Sequence, residues 1–229
     1  MSSHIILAAA NAPMAKFFET QGFDSLYVNQ ESVANQLLAT TDESLAVTEY
    51  VQYLKCLRAT TTVRMLADAA IGSDPISTTI NRISHCGMDT IVISDDDENH
   101  RSLTLADFSN HIQAARSCIA GLSSSLMLNL GHLEQYGYQG LSERIKLTKN
   151  TNVTAIVVSH VTPDDLGGLA PLLAENHQIG LALDHPDFSY GMVQAMMPAF
   201  ILDTYHPSLA AKQSVQNAGN SVIAKLFMG

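Results

Sequence analysis

Short apolar runs separated by helix-length stretches set the rhythm of this 229-residue chain. Ile5-Ile6-Leu7-Ala8-Ala9, Leu26-Tyr27-Val28, Val63-Arg64-Met65-Leu66-Ala67 and Thr90-Ile91-Val92-Ile93 read as the first four strands. Leu126-Met127-Leu128-Asn129, Ala155-Ile156-Val157-Val158, Ile179-Gly180-Leu181-Ala182-Leu183 and Ala199-Phe200-Ile201-Leu202 read as four more. The third is a continuous apolar run that ends in Asp68, the pattern of a strand covered on both faces by helices.

Helical signals fill the gaps. Pro13 suits a first turn, and the helix it opens runs to Gln21, where Gly22 supplies a C-cap. Thr40 and Glu43 have capping-box spacing ahead of an apolar stripe at Val47, Val51 and Leu54. Ile76 to His85 is helical, Thr104 with Asp107 starts a helix reaching about Ile119, and Leu141 to Leu147 forms another. Thr162-Pro163 gives an N-cap and a first-turn proline. Pro207 opens the last helix, with a stripe at Val215, Ala218, Gly219, Val222, Ile223, Leu226 and Phe227. Eight strands alternating with eight helical regions predict a (β/α)8 TIM barrel, and nothing in the sequence suggests a second domain within residues 1–229.

Composition narrows the function. With 46% hydrophobic and 15% charged residues, much of the chain must be buried, and a formal net charge of -10 opposes nucleic acid and anionic membranes as partners. No stretch has the basic flank and long apolar run of a signal peptide or membrane helix, so a cytoplasmic location is expected. Cys56, Cys86 and Cys118 are odd in number, lack metal-ligand spacing and are expected to be buried free thiols. The absence of a G-x-S-x-G elbow, a Walker loop and a G-x-G-x-x-G fingerprint removes support for hydrolase, nucleotide and Rossmann readings.

In a barrel, the carboxyl ends of the strands meet at one mouth, where chemistry resides. Here those ends carry Asn11, Asn29, Asp68, Asp95, Asn129, His132, His160, Asp184, His185, Asp203 and His206. Asp68 reads either as a site residue or as the cap of the Gly72-Ser73-Asp74-Pro75 turn. In the acidic run Asp95 to Glu98, Asp95 is nearest the strand and is expected to point inward. With Asp68 it would supply oxygen ligands for a hard cation such as Mg2+. His132, His160, His185 and His206 share no short metal-binding motif, so capping or surface roles are expected for them.

These strand ends carry a resemblance. Asn11-Ala12-Pro13-Met14-Ala15-Lys16, Gly22-Phe23-Asp24-Ser25-Leu26-Tyr27-Val28, Asp68-Ala69-Ala70-Ile71-Gly72 and Ile93-Ser94-Asp95 resemble segments of the isocitrate lyase/phosphoenolpyruvate mutase superfamily. The resemblance implies a lyase or mutase that makes or breaks a C–C or P–C bond next to the carboxylate of a small α-oxo or hydroxy acid. It implies a metal-stabilised enolate, and a homodimer or homotetramer with the last helix swapped between subunits. Taken with the ring of strand-end residues, Asp68, His132 and His160 are the expected catalytic residues, and Asn11, Asn29, Gly72, Asn129 and Asp184 the expected substrate contacts. Asp68 and Asp95 are the expected Mg2+ ligands. The departures are specific: Ala70 and Ser94 stand where the family has acids, and the loop from Asp97 to Ser102 is short and lacks a cysteine. A metal-free site built on His132, His160 or His185, or a catalytically degenerate relative that binds a small acid or serves as a subunit partner, is the alternative.

Overall fold

The computed structural model describes residues 4–38, 45–69, 75–97, 100–149, 151 and 153–227. Eight parallel strands close into a barrel in sequence order: β1 (His4–Ala8), β2 (Ser25–Val28), β3 (Arg64–Asp68), β4 (Thr90–Ser94), β5 (Ser125–Leu130), β6 (Val153–Val158), β7 (Ile179–Leu183) and β8 (Phe200–Asp203). The chain is a (β/α)8 barrel, as its alternating pattern predicts. Each strand lies within a few residues of its expected place.

Helices α1 (Ala12–Thr20), α2 (Gln30–Leu38), α3 (Val47–Arg58), α4 (Ile76–Ser84) and α5 (Leu105–Ile119) cover the first half of the barrel. The second half carries α6 (Leu133–Thr148), α7 (Leu166–Glu175), α8 (Tyr190–Ala195) and α9 (Tyr205–Phe227). Local chemistry sets several starts. Asn11 caps α1 by accepting the Met14 N–H at 3.0 Å, with Pro13 in the first turn. Thr104 caps α5 through the Asp107 N–H at 3.2 Å. α6 bends at Gly137, whose φ of 63° is left-handed backbone that favours glycine. The Thr40–Glu43 capping box lies outside the described residues. α2 was not foreseen, because its sequence, Gln30-Glu31-Ser32-Val33-Ala34-Asn35-Gln36-Leu37-Leu38, is mostly polar on the surface side.

The core has two shells. Ile6, Ala8, Tyr27, Leu66, Val92, Met127, Val157, Ala182 and Leu202 point into the barrel, with Phe200 filling its amino-terminal end. A glycine is required at Gly180, because a Cβ there would collide with the Phe200 ring. The alternate strand positions, such as Leu7, Leu26, Met65, Ile91, Leu128, Val158 and Leu181, face the helices. Two strand parities therefore divide the wall into an inner and an outer face, and this division decides which polar residues reach the mouth. Among the described residues no helix is long and apolar enough to cross a membrane.

Candidate functional site

The inner parity continues upward from the packed barrel centre into a cavity of about 780 Å³ at the carboxyl ends of the strands. Tyr27, Asn129, Ala182 and Leu202 form its floor, and Asn29, Ser159, Asp184 and Thr204 rise above them. The register supports this arrangement: Asn129 pairs with Ser94 and Val157, while Ala182 pairs with Leu202.

Asp68 ends β3 and is half-buried. The Tyr27 hydroxyl donates to its Oδ1, and the Gln30 N–H donates to its Oδ2 at 3.1 Å. Burial, and then the negative charge of Asp68, push the Tyr27 phenol well above its ordinary range, so it remains a donor at neutral pH. Asn29 lines the cavity while its Oδ1 accepts the Ser32 N–H at 2.7 Å, capping α2. Asn11 lies outside the cavity lining. Beyond its capping role it donates from Nδ2 to Gln36 Oε1 at 3.3 Å, joining the start of α1 to α2. Gly72 lies outside the described residues.

The most concentrated chemistry is at the ends of β5, β6 and β7. Asn129 Oδ1 accepts the Ser159 hydroxyl at 2.6 Å, so the group it can offer a ligand is its Nδ2 donor. His160 has a left-handed φ of 53°, a conformation uncommon outside glycine that recurs at functional sites. Its N–H donates to Asp184 Oδ2 at 2.8 Å, and its Nε2 lies 3.9 Å from the same oxygen. Gly131 makes room for this pair: a Cβ there would sit 3.1 Å from Ser159 Oγ and 3.4 Å from His160 Nδ1. Asp184 Oδ1 is buried and accepts no hydrogen bond among the described residues. A buried acceptor without a donor is rare and calls for a partner.

Asp95 corrects an expectation. It does not point inward; it follows Ile91 and Ile93 on the parity that faces the helices, and Ser94 takes the inner position. Its buried carboxylate accepts the Gly131 N–H at 3.0 Å and lies 3.4 Å from Arg144 Nε, without hydrogen-bond geometry. Burial raises its pKa above the ordinary value, against the pull of Gly131, Tyr136, His132 and Arg144. Arg144 in turn stacks on the Tyr136 ring at 3.9 Å, and its Nη2 donates to Ser102 Oγ at 3.0 Å and to Leu103 O. This cluster staples the loop between β4 and α5 to α6. His132 belongs here too, at the start of α6 with its Nδ1 3.2 Å from Gln135 Nε2, and it does not line the cavity.

The remaining ring members divide similarly. Asp203 is fully buried on the outer parity, bonded to the Tyr190 hydroxyl, to the His206 N–H at 3.0 Å and to His206 Nδ1 at 3.1 Å. His185 is exposed and pairs with Asp187 at 3.3 Å.

Mg2+ takes near-octahedral oxygen ligands, commonly one or two carboxylates with waters and substrate oxygens. Asp68 and Asp95 stand on opposite faces of the barrel wall, and no cluster of three or more His, Cys, Asp or Glu side chains suited to a metal occurs among the described residues. The described residues thus do not fit an ion shared by these two aspartates.

Sequence reasoning missed one wall of the cavity, supplied by Asn35 and Gln36 on α2 and by Ser208, Lys212 and Gln216 on α9. Asn29, followed by Val33, Ala34 and Leu37 at helical spacing, was the available signal for α2.

No protein-family model and no curated protein matches the chain by sequence. Solved structures do match its fold. 2,3-Dimethylmalate lyase, a PEP mutase/isocitrate lyase superfamily member, aligns at TM-score 0.78 and 16% identity over 98% of this chain and 82% of its own. Oxaloacetate acetylhydrolase aligns at 0.80 and 14% identity, covering 97% and 81% respectively. Phosphonopyruvate hydrolase, solved with oxalate and Mg2+, aligns at 0.80 and 18% identity, covering 97% and 83%. At such low identity the likeness establishes a shared fold.

Proposed function

We propose that the chain is an enzyme of the lyase or mutase kind, acting next to the carboxylate of a small α-oxo or hydroxy acid bound in the mouth cavity. The observation that carries the reading is Asp184, which lines the cavity and whose Oδ1 is buried without a protein donor among the described residues, so that a small turn of the carboxylate would present it to a ligand. Leaving such a group unpaired costs roughly 1–3 kcal/mol, and a substrate hydroxyl would relieve that cost. The fold shared with 2,3-dimethylmalate lyase and phosphonopyruvate hydrolase supports the same substrate class.

In this reading Asp184, steadied by the His160 N–H, takes the proton of the substrate hydroxyl. The hydroxyl-bearing carbon becomes a carbonyl as its bond to the carbon beside the carboxylate breaks, and that electron pair spreads into the carboxylate. The Nδ2 of Asn129 meets the developing negative charge, and the proton held by Asp184 passes through the His160 imidazole to the new carbanion. Asp68 acts at one remove by fixing the Tyr27 hydroxyl in the floor, and Asn29 borders the substrate. No step is assigned to Mg2+. A cytoplasmic homodimer or homotetramer is part of the same proposal; its apolar stripe on α9 falls largely on side chains outside the described residues.

The outer placement of Asp95 favours a second reading, a relative that binds a small acid without turning it over. Incubation with 3-hydroxy acids, and with 2-oxo acids for comparison, followed by NMR of the products separates the two. Turnover that Asp184→Asn abolishes supports the enzyme, and acid-induced thermal stabilisation with no product supports the silent binder.

A further inference from the structure

The cavity is far larger than a three-carbon acid requires. Such an acid has six non-hydrogen atoms, and at the roughly 30 Å³ a water molecule takes in the liquid it fills only about a quarter of the 780 Å³ available. The remaining space runs outward between α2 and α9, which approach each other at Ser32 and Ser208, 3.5 Å apart.

This outer arm has a distinctive chemistry. Asn35, Gln36 and Gln216 line it with amides, and Ser32 and Ser208 add hydroxyls. Each amide donates and accepts, as a ligand hydroxyl does, and none favours a charge. Charge in the whole lining is sparse among the described residues: Lys212 is the single Lys or Arg, set against the carboxylates Glu31 and Asp184. One cation set against two carboxylates can pair with one ligand carboxylate at most and leaves a second negative charge on the ligand unpaired. Tyr205 also lines the cavity, and an aromatic ring can pack against the C–H side of a polyol.

Resting on the acid-binding reading above, we propose that the substrate is a monocarboxylate with an extended polyhydroxylated tail, in the manner of a sugar acid. Its carboxylate lies on Asn129 Nδ2 in the floor, its reacting hydroxyl on Asp184, and its tail hydroxyls along Asn35, Gln36 and Gln216, with Lys212 the cation of the lining among the described residues. A dicarboxylate or a phosphonate is the disfavoured ligand.

The test uses the full chain, with gluconate, pyruvate and oxalate as probes, each with and without Mg2+, read by thermal shift and calorimetric titration. Gluconate is expected to bind at least tenfold more tightly than pyruvate, and oxalate most weakly. Gln36 and Gln216 are exposed, so Gln36→Ala and Gln216→Ala should fold normally, weaken gluconate by about three- to tenfold each and leave pyruvate unchanged. Pyruvate or oxalate binding as tightly as gluconate would overturn this inference while leaving the acid-binding reading intact. A complete lack of response to all three would overturn both. If either variant melts early, the ranking of the three acids on the unaltered chain decides.

Discussion

Asp68 and Asp95 end neighbouring strands of one barrel, yet they do opposite work. Asp68 stands on the inner parity and holds a phenol and a backbone N–H at the border of the cavity. Asp95 stands on the outer parity, buried against Arg144 under the loop between β4 and α5. A single step along a strand exchanges a residue that shapes ligand space for one that fastens helix to barrel, and residue type and nearness to the strand end do not distinguish the two.

The largest effect expected from breaking this comparison is at Asp95. Asp95→Asn leaves the Arg144 guanidinium buried without its counter-charge, so a loss of roughly 3–5 kcal/mol is expected in denaturant titration. The same substitution in an Arg144→Met background should cost markedly less, because the two side chains share one interaction. Acid binding per folded molecule should be unchanged throughout. A variant that folds as stably as the parent but no longer binds acid would reverse the assignment of the two aspartates.

Asp68→Asn should cost less, about 1–3 kcal/mol, since an amide nitrogen must replace one of two accepting oxygens. Its acid-induced thermal shift should fall as well, because the Tyr27 hydroxyl is released within the cavity floor. Preserved binding in this variant would remove Asp68 from the site.

Asp184→Asn sharpens the comparison within the cavity itself. The amide oxygen can still accept the His160 N–H, so stability should stay within about 1 kcal/mol of the parent. Affinity for a hydroxy acid should drop about tenfold by titration, with a smaller drop for an acid lacking the hydroxyl. Equal losses for both acids would mean that Oδ1 does not read the hydroxyl.

The smallest effect lies far from the mouth, at Glu19. Hydrogen bonds from Lys16, from the Thr62 N–H and from the Thr62 hydroxyl hold its carboxyl down at about 2, against an ordinary 4.5. A depressed carboxyl contributes stability that is present above pH 4.5 and is lost as pH falls toward about 2. Melting temperature should therefore decline more steeply across that window in the parent than in Glu19→Gln. Parallel declines would show that the exposed cluster contributes nothing.

The strand count and order were legible because apolar runs, glycine turns and capping residues agree along the chain: Asn11, Thr104 and Thr162 all begin helical turns where their side chains suggest. The parity of β4 was not legible. A strand buried on both faces is apolar at every position, so Thr90-Ile91-Val92-Ile93 carries no alternation to say whether Ser94 or Asp95 turns inward. α2 escaped for the opposite reason, since its outer face is polar enough to read as a loop, and with it went Asn35 and Gln36. Lys212 and Gln216 joined the cavity only once the fold brought α9 beside α2, a contact between segments too distant in sequence for any local pattern to reveal.

The knot of Tyr190, Asp203 and His206 fixes the start of α9 to the barrel. Its first turn is moored to the end of β8 through a fully buried carboxylate, with Tyr190 and His206 stacked 5.3 Å apart above it, while Lys212 and Gln216 lie one and two turns or more beyond that mooring. Amide hydrogen exchange should accordingly be slow in the first turn of α9, and a ligand seated between α2 and α9 should slow it further around Lys212 and Gln216. One wall of the cavity would then share its anchorage with the barrel, so that what binds there also steadies the helix.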